Sequence, residues 1–312
     1  MSAQSSGESS RHDFVRPEIV KKHSDLIYDI GLNEGQDTDF YLRKGFRVVA
    51  IEADPDLCRD CRRRFEKYID SGQLVLLEGA IHAGHASPVS TVRFYKHDGK
   101  SDWGTVVPDW ASRNSRLGVS SVTIEVNTVD LTQVIRKFGM PHYMKIDIEG
   151  SDMVCVEALR QFQPRPDFIS IESDKVRFSN IRREIDTLVH LGYGAFQAIE
   201  QSTIPTMQNP PNPSREGQFA ARTLWEGSSG LFGFELDGRW LTRPQVLLRY
   251  RFIRLGYYLV GDEGVMNNWR FRGARRLRGI AARVIAWLIG SPFPGWYDTH
   301  ARHSSVIGSS PS

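Results

Sequence analysis

The chain predicts an α/β fold in which a doubly wound, mostly parallel sheet precedes a C-terminal α-rich extension. Two observations carry that expectation. Short apolar runs alternate with helical stretches from Leu26 to Leu77, and the same rhythm returns from Leu131 to Ile199. Glycines stand where strands turn into helices and where helices end, as at Gly31, Gly45 and Gly192. A third observation sets the class: 40 % hydrophobic and 25 % charged residues in 312 is an ordinary globular balance. It excludes a disordered chain, a collagen-like chain and a disulfide-built miniprotein.

The elements follow in order. Residues 1–13 are polar and serine-rich and read as a disordered leader without the apolar core of a signal peptide. Leu26–Ile30 is a buried strand, residues 37–44 a helix closed by Gly45, and Arg47–Glu52 a second strand. Pro55 opens a second helix, expected to run to about Ile69, and Leu74–Leu77 is a third strand. Thr91–Lys96 and Val122–Val126 alternate like edge strands around a polar, aromatic loop. Helices at 131–138, 151–161 and 181–191 then alternate with strands at Tyr143–Ile148, Phe168–Glu172 and Ala195–Ile199. The ligand-binding domain is thus expected over 14–201. Residues 202–216, with four prolines, read as a linker or lid, and 217–312 as a basic, aromatic-rich extension.

Net charge is only +3, but it is unevenly placed. Arg239 to Arg283 holds eleven arginines against two acids, an excess of +9, so the remainder carries −6. Residues 270–289 read as a basic amphipathic helix that packs on the domain with a solvated arginine face. The rival reading is attachment to an anionic membrane surface or an acidic partner. Three cysteines fit a reducing compartment, and the chain reads as soluble and cytoplasmic.

Two stretches carry chemistry. In Asp29-Ile30-Gly31-Leu32-Asn33-Glu34-Gly35-Gln36-Asp37-Thr38, glycines at a strand-to-helix turn admit a ligand close to the backbone, beside the free N–H groups of a helix start. The spacing is G-x-N-x-G, without the third glycine of dinucleotide binders. Glu52, 21 residues after Gly31 at a strand end, suits both hydroxyls of a ribose. Together these suit a nucleoside cofactor without a pyrophosphate, with Asp29 facing the ammonium of an amino-acid tail. In Tyr143-Met144-Lys145-Ile146-Asp147-Ile148-Glu149-Gly150, an apolar strand runs into two carboxylates. While the strand persists they share a face.

On these residues the sequence resembles the FkbM type of S-adenosylmethionine-dependent methyltransferase. The carriers are DIGLNEGQDTDFYLRKGFRVVAIEADP and VNTVDLTQVIRKFGMPHYMKIDIEGSD, and the resemblance spans roughly residues 26–200. It departs at Asp152, where glutamate is usual, and at Leu32, where a small residue is common. The resemblance implies a Rossmann-like, class I methyltransferase fold, S-adenosyl-L-methionine as cofactor, and methyl transfer to a hydroxyl of a sugar, glycan or secondary metabolite. It implies that Gly31, Asn33, Gly35 and Thr38 surround the methionine part and Asp29 its ammonium. Glu52 and Ala53 would hold the ribose, and Glu78, Gly79 and Ala80 would lie near the adenine. Asp147 or Glu149 is the candidate base, with no choice between them; a divalent ion held with Asp174 is not required. No nucleic-acid partner is expected, and a homodimer is compatible with the sequence.

Other signals are set aside or left open. Cys58-x-x-Cys61 has no second pair, Asn209-Pro210-Pro211-Asn212 follows no strand and lacks the aromatic of an amino-methylating motif, and His190 reads as structural. The loop with Ser101, Asp102, Trp103, Trp110, Arg113 and Asn114 is a candidate acceptor cover, His82 a weak acid–base candidate, and 295–300 has no assigned role. The alternative functions are a nicotinamide-dependent oxidoreductase and a non-catalytic module that binds through the basic C-terminal region.

Overall fold

The computed structural model describes residues 16–81, 91–97, 104–107, 121–148, 150–173, 177–221, 227–260, 264–268, 273–290 and 295–308. Residues 1–13, Glu149, Asp174, His82 and the six loop residues singled out between Ser101 and Asn114, for which the sequence raised expectations, lie outside them. In chain order the strands are β1 (Glu18–Ile19), β2 (Lys22–Ile30), β3 (Arg47–Glu52), β4 (Leu74–Glu78), β5 (Ala80–Ile81) and β6 (Thr91–His97). There follow β7 (Ser121–Val129), β8 (Met140–Ile146), β9 (Phe162–Gln163), β10 (Phe168–Glu172), β11 (Tyr193–Glu200) and β12 (Tyr297–His303). The helices are α1 (Gln36–Arg43), α2 (Pro55–Arg64), α3 (Glu66–Asp70), α4 (Leu131–Phe138), α5 (Asp152–Ala158), α6 (Phe178–His190), α7 (Arg243–Val260) and α8 (Ala274–Ile289).

The main sheet has the order β11-β12-β10-β8-β2-β3-β4. Only β12 is reversed within it, antiparallel to both β10 and β11. A side sheet, β5-β7-β6, extends the β4 end, and β1 pairs with β9 apart from both. The central strands are buried on both faces, so their side chains divide between two cores. Ile27, Val48 and Tyr143 meet Phe40, Tyr41 and Phe46 on one face. Tyr28, Val49 and Met144 meet Ile135, Ile185 and Leu188 on the other.

Three expectations change. The second helix breaks at Phe65, whose buried ring packs against Gly35, so α3 is a separate turn. β8 was expected to run to Ile148 but ends at Ile146, so Asp147 lies beyond the strand. The third concerns the extension. The sheet was expected to close near Ile199, but it takes β12 from the extension, with Thr299 opposite Ile171 and Ala198. That strand satisfies the hydrogen-bonding edges of both β10 and β11, which would otherwise stand open. Thr299 is also tied by hydroxyl hydrogen bonds of 2.5 Å to Ser173 and Tyr250.

The extension also covers both faces of the sheet. Phe232 stacks on Tyr143 at 4.8 Å and meets Tyr41 edge-on at 5.1 Å. On the opposite face α7 lays Val246, Tyr250 and Ile253 into the core. At the N-terminal edge of the strands, a buried charged network clamps the proline-rich stretch to the sheet. His142 contacts Asp167 (2.8 Å) and Glu216 (2.9 Å) through its two ring nitrogens, and Lys22 pairs with Asp167. Glu216 accepts from the Phe234 N–H at 2.8 Å. Lys44 pairs with Glu235 at 2.9 Å, with both side chains fully buried. Burial works against a charged His142, but the two carboxylates outweigh it and lift the imidazole to about 9.

Candidate active site

A cleft of about 600 Å³ opens where β2, β3 and β8 end. The strand order turns there, with β3 and β4 on one side of β2 and β8 and β10 on the other. In open α/β sheets that turning point is where ligands bind. The turn after β2 forms one wall. Its geometry explains its glycines separately. Gly31 has φ +89°, and a Cβ there would lie 1.9 Å from the Asp147 carbonyl oxygen. Gly35 has φ +80°, and a Cβ there would strike the Phe65 ring at 2.6 Å. Gly31 therefore admits the β8 chain end, and Gly35 admits α2.

Glu52 fixes the bottom of the wall. Its Oε2 accepts from the Asn33 N–H at 2.8 Å, and its Oε1 from the Asp54 N–H at 2.9 Å. Burial raises this carboxyl above its ordinary range, while the two amides favour its charged form. The Ala53 backbone N–H acts on the carboxyl in the same sense, and Glu52 lines the cleft. Asn33 lines the cleft at φ +51°, and its buried Oδ1 has no hydrogen-bond partner among the described residues.

Beneath the cleft lies a lysine surrounded by acids. Lys145 Nζ donates to the Gly31 carbonyl at 3.1 Å and lies 3.4 Å from Asp29, 3.6 Å from Asp147 and 3.8 Å from Asp37. Burial opposes its charge, but the carboxylates of Asp29, Asp147 and Asp37 outweigh that and hold it well above its usual range. Asp37 accepts from the Ser229 N–H at 2.9 Å, and burial lifts its carboxyl to about 6. Three carboxylates against one ammonium leave the floor negative, which suits a ligand carrying a sulfonium and an ammonium.

Of the residues the sequence singled out, Gly31, Asn33, Glu52, Ala53, Gly79, Ala80 and Asp147 line the cleft. Asp29 and Thr38 do not. They are buried against each other, with Thr38 Oγ1 donating to Asp29 at 2.6 Å and Lys145 Nζ 3.4 Å from Asp29. Glu78 points outward to Arg62 at 2.7 Å, because the last residue of β4 turns its side chain away from the cleft. Gly35 is a packing residue. Cys58 and Cys61 are buried thiols, and burial pushes Cys61 up to about 12, which leaves it unreactive.

The far wall comes from the end of the domain, the proline-rich stretch and the extension, whose residues the sequence did not single out for the site. Gln201, Ser202 and Pro205 line it, as do Gly227–Ser229, Trp296 and Asp298. Asp298, the second residue of β12, lies opposite Glu172 and is 8 % exposed. Burial, reinforced by Asp147 and Glu172, raises its carboxyl well above the usual range. The one sequence signal was the polar-aromatic stretch 295–300. On the nucleoside side, Phe94, Gly104, Thr105 and Val106 close the cleft. Among the described residues no group of three metal-ligating side chains converges.

This sheet order, with a cleft at its turning point, defines a doubly wound α/β domain that takes a ligand where its central strands end. Residues 29–194 match the model of the methyltransferase FkbM domain, and the chain belongs to that family. A probable ribosomal RNA small subunit methyltransferase A from Methanospirillum hungatei is 34 % identical over 76 residues, 22 % of this chain and 30 % of that protein. The chain therefore spans less than a third of that curated relative. A crystal structure of an FkbM methyltransferase from Methylobacillus flagellatus aligns with 52 % of this chain and 35 % of its own length, at 19 % identity and a TM-score of 0.29. A methyltransferase from Geobacter sulfurreducens, solved with S-adenosyl-L-homocysteine, covers 89 % of this chain and 84 % of its own, at 10 % identity and a TM-score of 0.32.

Proposed function

We propose that the protein transfers the methyl group of S-adenosylmethionine to a hydroxyl of a small acceptor such as a saccharide or secondary metabolite. The observation that carries this reading is Asp298, a buried carboxyl on the cleft wall beside Gln201, Ser202 and Trp296. When bound, the cofactor supplies a methyl carbon on a sulfonium, which an acceptor oxygen displaces in line. The chain's own task is to align that oxygen and remove its proton.

Glu52 would accept from the ribose hydroxyls, the Asn33 amide oxygen from a donor on the cofactor, and the acids around Lys145 would balance its positive charge. Ala53, Gly79 and Ala80 lie beside Phe94, where an adenine ring finds a flat apolar surface. Asp147, 44 % exposed at the cleft rim and 3.6 Å from Lys145, would orient the acceptor. Asp298 would take the proton, as a carboxyl set on the cleft wall opposite the nucleoside side. Gln201, Ser202 and Trp296 give the same wall hydrogen-bonding and aromatic surface for a sugar face.

The test is methyl transfer from labelled cofactor to a panel of saccharides and hydroxylated metabolites, with Asp298→Asn beside the wild type. Asp298→Asn is expected to lower turnover about 100-fold and leave cofactor affinity within about twofold. Unchanged turnover removes the assignment of Asp298, and no transfer to any hydroxyl removes the acceptor class.

A further inference from the structure

We propose that the helix pair α7 and α8 is a docking surface for an anionic lipid bilayer, on which the protein lies as a peripheral enzyme. α7 presses Val246, Tyr250 and Ile253 into the core. Its opposite face presents Leu248, Phe252, Leu255 and Tyr258 to solvent. α8 presents Leu277, Ile280, Val284 and Trp287, at spacings of three and four that place them on one face. These eight side chains are between 46 % and 80 % exposed, Trp287 the most. A solvated arginine face was the expectation for 270–289, yet the outward face of α8 is also apolar.

Soluble proteins rarely leave two neighbouring helices with apolar outer faces, and such patches mark interaction surfaces. The charge says what covers this one. The two helices carry eight arginines, with no lysine and no acid, against a net −6 in the chain outside Arg239 to Arg283. Arg251, Arg276 and Arg283 are exposed beside the apolar residues. A second copy docking face to face would set arginine against arginine. Nucleic acid would neutralise the arginines but leave leucine, isoleucine and valine in water. An anionic bilayer answers both features, since its phosphates meet the guanidinium groups and its acyl boundary takes the aliphatic and aromatic side chains. Trp287 and Tyr258 are the residue types that settle at that boundary.

No helix among the described residues is long and apolar enough to cross a membrane. The contact is therefore one of surface attachment. Tyr257 accepts from the Gly295 N–H at 3.1 Å, tying α7 to the segment that brings Trp296 and Asp298 to the cleft.

The test is co-sedimentation of the full-length protein with phosphatidylcholine vesicles, alone or with about one third phosphatidylglycerol. Two double variants on exposed positions, Arg276→Glu with Arg283→Glu and Phe252→Ser with Trp287→Ser, are compared after their melting temperatures are matched to the wild type. The wild type is expected to bind only the anionic vesicles and to lose binding between about 0.1 and 0.5 M salt. Each variant is expected to bind about tenfold or more weakly. Absence of binding to anionic vesicles at low salt overturns the proposal, and so does equal binding to neutral ones. Self-association or RNA binding that the same variants abolish, without vesicle binding, overturns it in favour of a second copy or a nucleic acid.

Discussion

Glu52 shows how one residue joins fold to function. Its two oxygens hold the Asn33 and Asp54 amides, so the carboxylate that would meet a ribose also sets the shape of the turn. Its place in the cleft was legible because an acid at a strand end, 21 residues after the first glycine, falls where open α/β sheets bind ligands. Asp29, Thr38 and Glu78 were read as ligand groups from the same proximity, but side-chain direction at strand and helix ends cannot be read from spacing. Lys145 claims Asp29, and Arg62 claims Glu78. Gly31 gives the sharpest prediction here. A methyl at φ +89° within 1.9 Å of the Asp147 carbonyl forces both strain and backbone displacement. Gly31→Ala is expected to cost about 2 kcal/mol or more, lowering the melting temperature by about 4–8 °C. An unchanged melting curve would show that the turn is looser than the close approach implies.

Among the elements, the α/β rhythm up to β11 was legible because apolar strands and glycine-ended helices repeat. β12 was not. Its residues, Tyr-Asp-Thr-His-Ala-Arg-His, alternate no apolar face, because this strand lies between two others and buries polar side chains. Its place follows from the hydrogen-bond edges of β10 and β11, which only the folded sheet reveals. The stretch 202–216 likewise read as a linker or lid from its prolines, yet Ser214 and Glu216 belong to the charged clamp at the base of the sheet. That clamp has a pH signature. His142 is raised in the folded state, so its contribution is complete below about 6.5 and is lost as pH rises through about 9. Thermal melts between pH 6 and 9.5 are expected to show a falling wild-type midpoint. His142→Gln is expected to start lower at pH 6 and to lose that slope. Parallel pH profiles for the two proteins would contradict a charged His142.

At the scale of the molecule, the extension is built into the sheet and the cleft and is not an appendage. It supplies one strand, covers both faces of the sheet, and brings Asp298 to the cleft wall. The nicotinamide reading falls with the family, and the basic C-terminal region is a surface carried by the same enzyme. The central claim is that the cleft holds S-adenosylmethionine and that Glu52 anchors it. Isothermal titration of the full-length protein with S-adenosylhomocysteine tests it most directly, with NADH as control and Glu52→Ala beside the wild type. The account predicts saturable binding of S-adenosylhomocysteine, no heat with NADH, and affinity lowered about tenfold or more in Glu52→Ala. Equal affinity in a folded Glu52→Ala, or binding of NADH in place of S-adenosylhomocysteine, would contradict it.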